Sequence, residues 1–141
     1  MGQIWSFYKI IVFSAIASFI FGAGFFISES AAQVALCNGK PVTIFGTPGN
    51  DFLKGTNGPD VIDAMGGHDI VVGENGDDTI CAGDGRDFVF GGNGNDDIFA
   101  AGDRQKDAID GGRGNDFCQV DERDFVVRCE TIAEPYDISS P

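Results

Sequence analysis

Asp51, Asp60, Asp69, Asp78, Asp87 and Asp96 recur every nine residues, each two positions after a glycine and two before a leucine, isoleucine or valine. Asp107 and Asp116 continue the series after a two-residue insertion. Carboxylates bring hard, anionic oxygens, and glycines let backbone carbonyls turn toward a common point. That combination suits a hard cation such as Ca²⁺. Paired carboxylates also serve glycoside hydrolysis, but here every carboxylate holds the same place in a repeat, which points to one task done many times. Other catalytic sets are poorly represented. Beyond residue 32 the serines are Ser139 and Ser140, and the histidine is His68, in the variable fifth position of a repeat, where an exposed turn residue is expected. No Ser-His-Asp or Cys-His arrangement follows, and no enzyme is predicted. EF-hand spacing and HExxH are absent from the sequence.

The elements that must position the aspartates follow from the same frame, Gly-x-x-Gly-x-Asp-x-apolar-x. Its clearest copies begin at Gly46, Gly91 and Gly111. Regular copies start at residues 46, 55, 64, 73, 82 and 91; a seventh from Ala100 carries the insertion, and an eighth starts at Gly111. The six residues through each aspartate predict a turn, with glycine at the fourth position because a side chain would obstruct the backbone there. The next three predict a short strand whose middle residue points inward. Leu53, Ile62, Val71, Ile80, Val89, Ile98, Ile109 and Cys118 are the predicted core. A disordered acidic segment would not keep an aliphatic residue at that position.

This pattern resembles the hemolysin-type, or RTX, calcium-binding nonapeptide. The resemblance implies an all-β fold, a right-handed parallel β-roll (β-solenoid) in which two nonapeptides make one coil, here about four two-strand coils with short capping segments. It places Asp51, Asp69, Asp87 and Asp107 on one edge and Asp60, Asp78, Asp96 and Asp116 on the other. It further implies Ca²⁺ between successive turns of an edge, held by both aspartates and by loop carbonyls, up to about six ions. The pair Asp87 and Asp107 is the weakest, because Arg104-Gln105-Lys106 lengthens that turn and adds positive charge. Ala64 stands where the frame has glycine, and Met65 and Glu74 where the copies from Gly91 and Gly111 carry a second glycine; all three are expected to weaken individual sites.

A formal charge of −13 argues against a nucleic-acid surface, which needs clustered Lys and Arg. The segment before the repeats reads as a leader: Lys9, an apolar run from Ile10 to Ile27, then Ser28-Glu29-Ser30 and small residues, with cleavage expected after Ala32. An uncleaved membrane anchor is the alternative. The expected organisation is a signal peptide at 1–32, an N-terminal cap at 33–45, the calcium-binding roll at 46–119, and a C-terminal cap and tail at 120–141. Export suits the four cysteines, which contain no CxxC pair for zinc. Of three possible pairings, position in the repeat favours Cys118 with Cys129, capping one end, and Cys37 with Cys81, covering the other.

These features predict a secreted calcium-binding protein, an extracellular interaction or structural module. The alternative is an adhesion module or accessory domain acting with a separate enzyme or envelope partner. Outward positions on the odd-numbered strands, Phe52, Ile70, Val72, Phe88 and Phe90 among them, form the more apolar face. An envelope, polysaccharide or protein partner is expected there, unless a chain terminus packs across it. Thr79 is the lone Thr or Asn among the outward strand positions, so an ice-binding array is not predicted.

Overall fold

The computed structural model describes residues 34–134. The expected leader at 1–32 and the end of the tail lie outside the described residues. Glycine-rich turns alternate with strands, most of them three residues or fewer, and no helix forms among the described residues. The strands stack into two parallel sheets. One has five strands, in the order Phe52–Lys54, Ile70–Asn75, Phe88–Asn93, Ala108–Arg113 and Phe125–Val127. The other has six: Ile44–Phe45, Val61–Asp63, Thr79–Cys81, Asp97–Phe99, Phe117–Gln119 and Thr131–Ala133. Like positions pair with like, as in Leu53 with Val71 and Val71 with Val89. The insertion near Arg104 is absorbed in its turn, because Val89 still pairs with Ile109.

All eight predicted inward residues are buried, from Leu53 at 9% to Ile62, Val71, Ile80, Val89, Ile98 and Cys118 at 0% exposure. A second file lies beside them. Ala64, Ala82 and Ala100, at the first position of alternate turns, join the same core together with Val120. Ala64 is therefore a packing residue as well as a departure from glycine.

The expected β-roll is present, with about five coils. The difference from four lies at the two ends, where segments expected to fold over the core instead continue the stack. Val126 pairs with Ile109, and Ile132 pairs with Cys118. At the other end Ile44 pairs with Ile62. The physical reason is that a strand needs only an open edge and one inward apolar residue to extend a parallel sheet, and both segments supply these.

Both expected disulfides are formed, Cys37–Cys81 and Cys118–Cys129. The first holds a small hairpin, Leu36–Cys37 with Lys40–Pro41, against the outer face of the six-stranded sheet. There Lys40 Nζ donates to Thr79 Oγ1 at 2.7 Å and meets Asp97 Oδ2 at 3.3 Å, and Thr79 is 1% exposed. The hairpin thus covers a face rather than the end. Replacing Cys37 and Cys81 together by serine is expected to lower calcium-loaded stability by about 3–4 kcal/mol, as chain-entropy arguments give for a loop of this size. Urea unfolding of the calcium-saturated protein measures it.

Candidate metal centre

The turns bring the repeat aspartates into two ladders, one along each edge of the roll. On the first, Asp51 N–H donates to Asp69 Oδ1 at 2.7 Å, Asp69 N–H to Asp87 Oδ1 at 2.8 Å, and Asp87 N–H to Asp107 Oδ1 at 2.8 Å. On the second, Asp60, Asp78 and Asp96 donate in the same way to Asp78, Asp96 and Asp116 at 2.8–2.9 Å. The two edges therefore carry the aspartates that the repeat assigned to them. Two further acids end the ladders. Asp107 N–H donates to Asp124 Oδ1 at 3.0 Å and Asp116 N–H to Glu130 Oε2 at 2.7 Å. The repeat frame missed both, because they lie 17 and 14 residues beyond their partners, outside the period.

One oxygen of each carboxylate is thus committed to the backbone. The other divides the ladder. Oδ2 of Asp69, Asp78, Asp87, Asp96, Asp107 and Asp116 is buried and has no hydrogen-bond partner. A buried carboxylate oxygen left so carries a large desolvation cost. That cost shows in acidity. Burial pushes the Asp78 carboxyl up to about 7, against the hydrogen bond from Asp60, with the charges of Asp96, Asp60 and Asp77 adding to the rise. Asp107 also reaches about 7, and Asp87 and Asp96 about 6, each mainly through burial. Asp69 and Asp116 are raised for the same first reason.

On the edge of Asp78, Asp96 and Asp116, backbone oxygens meet these bare atoms. A methyl group placed on Gly73 would collide at once with Asp78 Oδ2 and with the carbonyl oxygen of Gly91 on the next coil. The same crowding at Gly91 involves Asp96 Oδ2 and the Gly111 carbonyl, and at Gly111 it involves Asp116 Oδ2 and the Arg128 carbonyl. Carboxylate and carbonyl oxygens of successive coils therefore converge where glycine leaves room. Among the described residues no point gathers three acidic, histidine or cysteine side chains. A cation held on these edges would draw much of its shell from carbonyls, as Ca²⁺ with six to eight oxygen ligands does. The donor set fits that ion: all oxygen, anionic in part, and without sulfur or imidazole.

Met65 and Glu74 are the expected weak points, since each replaces a turn glycine. Both take the left-handed backbone nonetheless, at φ 70° and 79°, and the carboxylates of their turns, Asp69 and Asp78, keep bare oxygens. The lengthened turn before Asp107 also leaves its Oδ2 bare. His68 is exposed; its N–H donates to Asn50 Oδ1 at 2.8 Å, and its Nδ1 accepts from Arg86 N–H at 3.0 Å. It is a rung of an outer ladder.

Parallel stacking, a narrow aliphatic core and carboxylate-lined edges define a β-solenoid with repeated acidic turns. A family model described as the RTX calcium-binding nonapeptide repeat (4 copies) matches residues 45–80, 72–104 and 83–118. The chain belongs to this family. No curated protein and no solved structure matches it.

Proposed function

We propose that this chain is an exported protein that folds around calcium, with the two aspartate ladders as its binding edges. The observation that carries this reading is the set of six buried, partnerless Oδ2 atoms, each at the end of a repeat turn. Ca²⁺ would supply positive charge to these oxygens and join one coil to the next. Asp69, Asp87 and Asp107 would hold it on one edge, and Asp78, Asp96 and Asp116 on the other, with Asp51 and Asp60 beginning the ladders. Two disulfides support an oxidising compartment, in keeping with the leader expected at 1–32.

The role we assign is an extracellular interaction or structural module. Phe52, Ile70, Phe88 and Phe90 are 41–66% exposed on the five-stranded sheet, whereas the hairpin occupies the opposite face. Such an apolar face supports contact with an envelope, polysaccharide or protein partner.

Calorimetric titration tests the calcium reading. About six ions per chain are expected, and Asp78→Asn, which keeps the amide acceptor for Asp60 N–H but removes the charge, should take up one fewer. Its folding midpoint should move to several-fold higher calcium. A wild-type chain that takes up none at millimolar concentration would end the reading.

A further inference from the structure

The eight repeat turns are of two kinds, and the division matches the bare oxygens one for one. The turns ending at Asp69, Asp78, Asp87, Asp96, Asp107 and Asp116 each contain two left-handed residues two apart, from Met65 and Gly67 to Gly112 and Gly114. The turns ending at Asp51 and Asp60 contain none. In those two the second position is threonine, and it closes on the carboxylate from within. Thr47 N–H donates to Asp51 Oδ2 at 2.6 Å and its hydroxyl to the same oxygen at 2.9 Å. Thr56 does the same to Asp60 Oδ2, at 2.7 Å and 2.9 Å.

Around Asp60 the oxygens are otherwise like those of the later turns on its edge. A methyl group on Gly55 would crowd the Gly73 carbonyl and would lie 3.0 Å from Asp60 Oδ2, the same pairing found at Gly73 and Gly91. What differs is the second-position residue. Two donor hydrogens already point at Asp60 Oδ2, where a cation would require free lone pairs.

We propose that Thr47 and Thr56 take the place of the ion in the first two turns, so that the amino-terminal coil closes without calcium. This rests on the calcium reading of the other six turns. It shifts the occupied gaps one coil toward the carboxyl end from those the repeat alone implies. The gaps Asp51/Asp69 and Asp60/Asp78 are closed by protein. The last two lie between Asp107 and Asp124 and between Asp116 and Glu130, where those terminal acids complete the ladders. A coil at one end that needs no ion gives the next coil a formed edge on which to stack.

Native mass spectrometry of the calcium-saturated chain tests this by counting ions. Wild type should hold six, Thr56→Gly seven, and Thr56→Ser, which retains the hydroxyl, six. Thr47→Gly, in the outermost repeat turn, should independently give seven, which keeps the test open if Thr56→Gly does not fold. A wild-type count of eight, or glycine variants that fold and still hold six, overturns the proposal while leaving calcium binding intact. A wild-type count of zero overturns both.

Discussion

Stripped of calcium at pH 7.5, the protein should lose most of its β-sheet circular dichroism, and added Ca²⁺ should restore it in one cooperative step. The expectation follows from what the roll has to hold itself together. Its inward file is one modest side chain per strand, Leu53, Ile62, Val71, Ile80, Val89, Ile98 and Ile109, with alanines beside it. Against this stand six carboxylates with buried, partnerless oxygens, in ladders that place like charges on successive coils. Burying an ionised group without a partner costs several kcal/mol, and a domain's whole stability is about 5–15 kcal/mol. Calcium reverses the sign. At a tenfold excess over a site's dissociation constant, binding contributes about 1.4 kcal/mol per site, so the six proposed sites together would supply about 8 kcal/mol. Six such ions would also reduce the formal charge of −13 to about −1. The disulfides restrict the unfolded chain but neutralise nothing, so they moderate the transition without replacing the ion. An unchanged spectrum in calcium-free buffer at this pH would show that the stack stands on packing and disulfides alone.

The repeat made much of this legible, and its limits are physical. The inward file could be read from spacing, and once the resemblance supplied an 18-residue coil, every ninth-residue aspartate fell on one of two edges. The disulfides followed because Cys118 and Cys81 hold defined places in that frame. Asp124 and Glu130 did not, because a ladder asks only for a carboxylate oxygen one rung along and is indifferent to how many residues lead there. Ala64, Ala82 and Ala100 did carry a signal, recurrence at 18 residues, but the frame reads Ala64 only as a lost glycine, whereas the core includes all three. Thr47 and Thr56 conform to the frame, in which the second position is free. What sets them apart is backbone conformation, since a threonine in an ordinary turn directs its amide and hydroxyl at the aspartate, whereas Met65 and Glu74 adopt the left-handed form despite their side chains. Spacing alone does not distinguish these cases.

Acid should stabilise the calcium-free protein and leave the calcium-saturated protein nearly unchanged between pH 8 and pH 5. The folded-state carboxyls of Asp78 and Asp107 sit at about 7 and those of Asp87 and Asp96 at about 6, against an ordinary 3.8. A raised folded-state value means that the folded chain holds protons the unfolded chain has released. Near pH 5 that difference amounts to about four protons from these groups, so calcium-free stability must fall as pH rises through the window from about 4 to 7. The contribution is fully present below the unfolded value and is lost above the folded one. In calcium-free buffer, β-structure and the urea midpoint should therefore increase on going from pH 8 to pH 5. In saturating calcium that gain should vanish, because carboxylates on the ion are ionised in the folded chain just as they are in the unfolded chain over this range, and no protons are exchanged on folding. The calcium concentration at the folding midpoint should therefore stay level or fall from pH 8 to pH 5, although the folded chain itself binds the ion more weakly in acid. Urea titrations at pH 5, 6, 7 and 8, in calcium-depleted buffer and in a fixed excess of calcium, measure both slopes. A calcium-free protein that gains stability toward pH 8 would mean that the ladder carboxylates are not held protonated by burial. The bare Oδ2 atoms would then have lost their claim to be the groups the ion relieves.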